Sequence, residues 1–282
     1  MGFIFCYNIR GIRLVITSMF GGFTGFQSKG SNDFGERMIN SVATQSLRHL
    51  FSRSDAVEVS VRCSPSSKLL QGTIDSFRME GRGLVIRKEF EAAEMMFETD
   101  TVSIDVGSAI SGKIRLRQPT QAVAQVTLNE DAINRSFEAE LVRQHLEGVT
   151  DEAVTSLSGG DPVTFRDINI TLLPDQAVKI TAKTDLPNHK DVPIQMSAQV
   201  TVEKRRRIIF ANAEFLPEGV PEALTSISET LTKGFAEVLN RMVDLERFNL
   251  DGVLLRVNRL ETQGKQLVFS GYAQIEHFPG TM

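Results

Sequence analysis

Apolar and polar residues alternate along most of this chain, most clearly in the segment Val192–Val202 (Val-Pro-Ile-Gln-Met-Ser-Ala-Gln-Val-Thr-Val). Every even-numbered position in this segment is apolar, and every odd-numbered position between its ends is proline or polar. A side-chain period of two indicates a strand with one buried face and one wet face. The chain is therefore expected to form a large one-sided sheet that covers something apolar.

The same alternation predicts about ten strands in total. Besides Val192–Val202, the clearest are Val57–Cys63, Ala122–Leu128, Ile168–Leu172, Val178–Leu186, Ile209–Phe215, Val253–Val257 and Leu267–Ile275. The segment Glu80–Gly83 (Glu-Gly-Arg-Gly) is predicted to connect a hairpin. A strand over Ala93–Val106 is predicted to carry a bulge, since its apolar parity slips near Met95 and Met96.

Helices are predicted between these runs of strands. One covers Asn32–Phe51, a second begins at an Asn129 N-cap and continues to about His145, and a short one lies in Thr150–Leu157. A long helix follows Pro221, and its apolar stripe has steps of three or four residues: Leu224, Ile227, Leu231, Phe235, Val238 and Met242. Because short turns join successive strands, the predicted fold class is α+β with an antiparallel sheet and helices against one face.

Composition is that of a soluble globular protein, with 41% hydrophobic and 23% charged residues. The net charge of −4 argues against a nucleic-acid partner held by bulk charge. Cys6 and Cys63 are expected to be reduced thiols in a reducing compartment. Residues 1–31 are predicted to be a flexible extension in which Met19 is a candidate start, and residues 32–282 a single domain.

Motifs for catalysis and for metal binding are weak. Gly107–Lys113 matches most of a phosphate-binding loop, but Ile114 stands where Mg²⁺ ligation needs Ser or Thr. The four histidines have no ligand spacing, and no Gly-x-Ser-x-Gly sequence provides a nucleophile. The sequence therefore predicts no enzyme, no catalytic residue, no metal site and no cofactor.

One dense basic run, Lys204–Arg207 (Lys204, Arg205, Arg206 and Arg207), stands out in this net acidic chain. Two interpretations are open. The run is either a site for anionic lipid headgroups at a membrane surface or an ordinary basic hairpin turn.

The small residues on the inner face of the sheet also allow two interpretations. Several positions expected to point inward carry them: Ala182, Ala198, Ala211, Ala213, Gly271 and Ala273. Small side chains either let a helix approach closely or leave room for an acyl chain.

Three stretches resemble a known family: Ser158–Asp167 (Ser-Gly-Gly-Asp-Pro-Val-Thr-Phe-Arg-Asp), Asp251–Val257 (Asp-Gly-Val-Leu-Leu-Arg-Val) and Phe269–Phe278 (Phe-Ser-Gly-Tyr-Ala-Gln-Ile-Glu-His-Phe). Together they are similar to the LmeA-like phospholipid-binding domain family, over about residues 35–278. The resemblance implies a tubular lipid-binding-like fold, in which a long, strongly curved antiparallel sheet wraps around one or two long helices. It implies no fixed site residues.

The resulting hypothesis is non-enzymatic binding or transfer of phospholipid in an apolar tube at a membrane surface. The expected lipid-contact residues are Ile194, Met196, Val200, Leu224, Ile227, Leu231, Phe235, Val238 and Phe269. Lys204, Arg205, Arg206 and Arg207 are expected to meet headgroups. The alternative is a membrane- or envelope-associated scaffold with a packed core and a protein partner. A third possibility is a hydrolase whose site is assembled from distant residues, and it would need a buried nucleophile beside His189 or His277.

The expected location is cytoplasmic or peripheral to a membrane. The resemblance implies an extracytoplasmic address, but the sequence has no clear signal peptide, because Arg10 and Arg13 interrupt its N-terminal apolar stretch.

Overall fold

The structure is a computed structural model that describes residues 40, 44, 48, 51–65, 67–86, 89–105, 107, 115–243 and 253–276. The predicted extension of residues 1–31, with Cys6 and Met19, lies outside this part of the chain. Within the predicted helix Asn32–Phe51, the described residues Asn40, Thr44 and Arg48 are helical, whereas Phe51 lies in a bend.

Twelve strands are present in the described residues. They are β1 Ala56–Arg62, β2 Thr73–Ile74, β3 Ser76–Ile86, β4 Phe90–Thr99, β5 Val102–Ser103, β6 Thr120–Asn129, β7 Phe165–Leu172, β8 Ala177–Leu186, β9 His189–Glu203, β10 Arg207–Phe215, β11 Val253–Gln263 and β12 Gln266–Ile275. The helices are α1 Ser67–Leu70, α2 Glu130–Ser136, α3 Glu140–Arg143, α4 Glu152–Thr155 and α5 Thr225–Met242, and a 3₁₀ turn, Glu222–Leu224, leads into α5.

The strands form two main sheets, whereas the sequence predicted one. Six strands pair in the order β1-β3-β4-β6-β12-β11, and four pair in the order β10-β9-β8-β7. Every pairing in them is antiparallel. The predicted α+β class with antiparallel pairing is confirmed.

Strand β9 has the side-chain period that its sequence predicts. Val192, Ile194 and Met196 have no exposed surface, and Ala198 and Val200 are almost fully buried. They belong to a large apolar cluster together with residues of β7, β8, α5, β11 and β12. A second, smaller cluster lies on the inner face of β1, β3 and β4.

The predicted hairpin at Glu80–Gly83 is wrong, because β3 continues through it. Glu80 pairs with Glu58 on one side and with Met96 on the other. Gly83 has φ +57°, a conformation that glycine adopts at little cost, so the strand continues without reversing. The bulge predicted near Met95 and Met96 is also wrong, since the pairing of β4 with β3 and β6 has no register shift there.

Two further expectations differ in detail. The helix expected from Asn129 to His145 is divided into α2 and α3, and the Asn129 side chain makes no capping hydrogen bond. In β10 the buried residue is Phe210, while Ala213 is exposed, because the register with β9 shifts between Ala211 and Glu214. Ala213 therefore does not belong to the inner face.

Both edge strands of the four-stranded sheet, β7 and β10, are closed by side chains from helices. Asn134 of α2 donates to the Ile170 carbonyl of β7 (3.0 Å) and accepts from its N–H (2.7 Å). Asn240 of α5 does the same for Phe210 of β10, accepting from its N–H at 2.6 Å. An unpaired edge of a sheet is a template for pairing with another chain, and these amides remove it.

We expect Asn134→Ala and Asn240→Ala each to lower the free energy of unfolding by about 1–3 kcal/mol, because each leaves buried main-chain groups without partners. Asn169→Ala is the control, since Asn169 is exposed on β7, and its effect should stay within about 0.5 kcal/mol. Urea unfolding measures all three. Equal losses in the three variants would contradict the role of the two amides.

Candidate functional site

The predicted lipid-contact residues come together between α5 and the strands. Six are buried in the large apolar cluster: Ile194, Met196, Val200, Leu231, Phe235 and Val238. Ile227 and Phe269 are half-buried and pack against it. Leu224 lies in the 3₁₀ turn, half-buried, and is not part of the cluster.

Periodicity did not identify Phe165 as part of this cluster. Its ring centroid lies 4.7 Å from that of Phe235 at an interplanar angle of 46°. Phe165 has the opposite parity to Ile168 and Ile170 in the sequence, but the register of β7 shifts between Arg166 and Asn169. The shift brings Phe165 to the same face as Ile170.

The small residues have structural explanations at most of their positions. Ala182, Ala198 and Ala273 are buried. At Gly271, a Cβ would lie 2.0 Å from the Arg256 carbonyl oxygen, so close backbone contact between β11 and β12 requires glycine. These positions accommodate neighbouring protein atoms.

The basic run forms the turn between β9 and β10, with positive φ at Lys204 (49°) and Arg205 (62°). Arg207 makes an ion pair with Glu203 (3.2 Å) and donates to the Asn240 carbonyl (3.1 Å). Arg206 is half-buried, and Lys204 and Arg205 are exposed. The turn that one interpretation expected is present, and whether it also binds headgroups stays a prediction.

Arg205 joins this turn to the other sheet. Its carbonyl accepts from the Val257 N–H (2.8 Å), its Nε donates to Asn258 Oδ1 (2.9 Å), and its guanidinium lies 5.1 Å from the centroid of the Tyr272 ring. The contact falls at the bulge of β11, where the register with β12 shifts between Val257 and Arg259. A β-bulge leaves a main-chain group unpaired, and here the turn provides its partner.

Ion pairs hold the opposite end of the four-stranded sheet. Arg166 contacts Asp191 at 2.8 Å and Asp185 at 2.9 Å. The hydrogen bonds that Arg166 donates to Asp191 and then to Asp185 raise the pKa of Arg166. The Asp191 N–H, followed by Arg166, lowers the pKa of Asp185. Both shifts favour the ordinary charged forms of Arg166 and Asp185, as expected of a structural cluster.

Asp151 connects α4 to α5. Its side chain accepts from the Ala153 N–H (3.0 Å), capping α4, and makes an ion pair with Arg241 at the end of α5. These two contacts, the backbone hydrogen bond first, lower the pKa of Asp151. Ion pairs and hydrogen bonds of charged side chains therefore lie at the margin of the site, and its interior is apolar.

Other candidate chemistry stays peripheral. Most of the phosphate-loop-like segment, together with His49 and His277, lies outside the described residues. His145 Nδ1 lies 2.9 Å from the Leu141 carbonyl oxygen, and His189 is exposed at the start of β9. No group of three or more His, Cys, Asp or Glu residues in the described part of the chain could hold a metal ion.

A shallow groove of about 330 Å³ lies away from the apolar cluster, on the six-stranded sheet. Its lining is mostly polar and includes Glu58, Glu80, Arg82 and Glu94. It does not coincide with the predicted acyl-chain contacts.

A double-mutant cycle measures the contact between the basic turn and β12. Arg205→Ala and Tyr272→Leu should destabilise the protein non-additively, with a coupling of about 0.5–1 kcal/mol, as for an exposed cation–π pair. Lys204→Ala with Tyr272→Leu is the matched control and should be additive. Additivity in both cycles, measured by urea unfolding, would show that the guanidinium and the ring do not interact.

A known protein family matches most of the chain. Within the residues that the structure describes, no helix has both the length and the apolarity to cross a membrane. No curated protein and no solved structure matches the chain. Residues 30–271, which include α5 and most of the strands of both main sheets, match the family described as LmeA-like phospholipid-binding. The resemblance predicted from the sequence is thereby confirmed, and the chain belongs to the LmeA-like phospholipid-binding family.

Proposed function

We propose that this protein binds phospholipid without covalent chemistry, holds the acyl chains between α5 and the surrounding strands, and transfers the lipid at a membrane surface. The observation that carries the proposal is the large apolar cluster, to which both sheets and α5 contribute, in a member of a phospholipid-binding family. Each methylene that moves from water into such an interior contributes about 0.8 kcal/mol.

Acyl chains reach the proposed contacts only if α5 or the strands shift. Ile194, Met196, Leu231 and Phe235 are fully buried against other side chains. The hydrophobic gain from a long chain then offsets the packing that the shift removes. Ile227 and Phe269, which are half-buried, are the contacts nearest to the margin of the cluster.

The proposal includes a single domain over residues 32–282 whose two sheets act together as one curved wall around α5. Contacts between the sheets support this arrangement. The Val257 N–H of β11 donates to the Arg205 carbonyl, and the Gln176 N–H donates to Thr262 Oγ1 at 3.0 Å. Leu260 and Leu267 extend the apolar cluster onto β11 and β12.

The turn Lys204–Arg207 is the proposed headgroup site. Lys204 and Arg205 are its exposed cations. A headgroup phosphate competes with Asn258 and Tyr272 for the Arg205 guanidinium, so binding there weakens a contact between the sheets. Each cation near an anionic lipid surface contributes about 1 kcal/mol.

The dense packing of the cluster favours one alternative, a membrane- or envelope-associated scaffold that binds a protein partner. In that case the buried side chains serve stability alone, and the exposed surfaces carry the function. The two proposals differ in whether phospholipid enters the cluster.

A photoreactive phospholipid with a diazirine in its acyl chain separates them. After irradiation with the purified protein, peptide mass spectrometry should locate the label on β9 and α5, and excess unlabelled phospholipid should suppress it. Extraction of the purified protein should also yield phospholipid. No extracted lipid together with no label on β9 or α5 would overturn lipid binding and favour the scaffold.

A matched pair of variants on α5 tests the lining. Ile227→Asn replaces a half-buried residue of the apolar stripe and should reduce the phospholipid bound per protein. Thr230→Asn changes an exposed residue of the same helix and should leave it unchanged. Equal phospholipid content in the two folded variants would exclude Ile227 from the lining.

A further inference from the structure

Two apolar side chains are exposed to solvent on the outer face of the six-stranded sheet, near the basic turn. Val123 of β6 is 61% exposed and Leu254 of β11 is 41% exposed. The adjacent residue Ala122 and the β12 residue Ala273 are buried, and side chains alternate between the faces of a strand. Val123 and Leu254 therefore lie on the face opposite to the core.

The strand register places Val123 and Leu254 on either side of Tyr272. Val123 pairs with Tyr272, Tyr272 pairs with Arg256, and Leu254 lies two residues before Arg256 in β11. Directly paired side chains lie about 4.5–5.5 Å apart and diagonal neighbours about 7–8 Å apart. The Tyr272 ring also contacts the Arg205 guanidinium. We call these five residues, with Lys204, the outer patch.

The six residues of the outer patch include three cations, Lys204, Arg205 and Arg256, and no carboxylate. The described outer-face positions of β6, β12 and the part of β11 before its bulge include Gln121, Val123, Gln125, Leu254, Arg256, Ser270, Tyr272 and Gln274. None of these is a carboxylate, and the neighbouring turn adds Lys204 and Arg205. On the next strand, the carboxylate opposite Val123 belongs to Glu98, which makes an ion pair with Arg78 at 3.3 Å.

We infer that the outer patch is the surface by which the protein docks on an anionic phospholipid bilayer, an inference that rests on the proposed function. The cations suit headgroup phosphates, and an amphipathic aromatic ring flanked by exposed apolar side chains suits the interface between headgroups and acyl chains. The patch includes Lys204 and Arg205 of the turn proposed to bind headgroups, so docking presents that turn to the membrane.

The test is flotation with vesicles of phosphatidylcholine, with and without phosphatidylglycerol. Leu254→Glu has an unusually close control in Leu141→Glu, because both leucines are 41% exposed and the substitution is the same. Leu254→Glu should weaken binding to anionic vesicles by roughly tenfold or more, since it removes an apolar contact and adds a repelled charge. Leu141→Glu should bind as the wild type does.

A second variant changes only the turn. Lys204→Glu should weaken binding to anionic vesicles by roughly fivefold or more, because each cation contributes about that factor and the substitution reverses its sign. Circular dichroism verifies folding, and if Leu254→Glu does not fold, Lys204→Glu carries the test. Added salt should weaken wild-type binding as well.

Three results would overturn the inference. The first is that the wild type binds vesicles equally well with and without phosphatidylglycerol. The second is that the folded test variants bind anionic vesicles as well as the wild type does. The third is that Leu254→Glu and Leu141→Glu weaken vesicle binding equally. Extraction of phospholipid from the wild type separates this failure from that of the proposed function. If the wild type carries phospholipid but the variants bind vesicles as the wild type does, only the outer patch is rejected. If the wild type carries no phospholipid, the proposed function is rejected.

Discussion

The need to give every edge strand a partner determines how the two main sheets fit together. Asn134 closes the edge of β7, and Asn240 closes that of β10. At β1, the Val59 N–H donates to Thr44 Oγ1 (3.1 Å), and the Val61 N–H donates to Asn40 Oδ1 (2.7 Å). At β11, the partner is the Arg205 carbonyl. Because buried main-chain groups without partners are costly, these contacts fix where the helices and the basic turn lie.

The apolar interior follows from those positions. Since Asn240 binds the edge of β10, α5 lies along the four-stranded sheet and its stripe from Leu231 to Val238 faces β9. The contact at Arg205 differs from those of the Asn134 and Asn240 amides. The Arg205 guanidinium is exposed, so water screens both of its side-chain contacts. The boundary between the turn and β11 is therefore held by weaker side-chain contacts than the buried interface between α5 and β9.

The sequence predicted those elements whose periodicity is uninterrupted. The alternation in β9 and the apolar stripe of α5 are long, so their buried faces could be assigned from spacing alone. Prediction from periodicity failed where one residue changes the parity or the direction of the chain. Examples are Gly83 in β3 and the register shifts that bring Phe165 of β7 and Phe210 of β10 inward. The amides of Asn134 and Asn240 gave no signal, because a polar residue on a helix reads as solvent-exposed until its distant strand is known. The basic run was visible, but its contact with Tyr272 depends on pairing between remote strands.

Charge is distributed unevenly over the outer face of the six-stranded sheet. The outer face of β1, β3 and β4 has mixed charges: Glu58, Glu80, Glu94, Glu98, Arg62, Arg78 and Arg82. In the other half of the same face, Arg256, Arg259 and the basic turn provide cations, and the carboxylate in the register of β11, Glu261, makes an ion pair with Arg259. A net charge of −4 repels the protein from an anionic membrane on average, so in the inferred docking the half in which cations predominate faces the membrane. The inferred docking therefore depends on the local asymmetry of charge and not on the total charge, and it brings the exposed side chains of Val123 and Leu254 to the membrane.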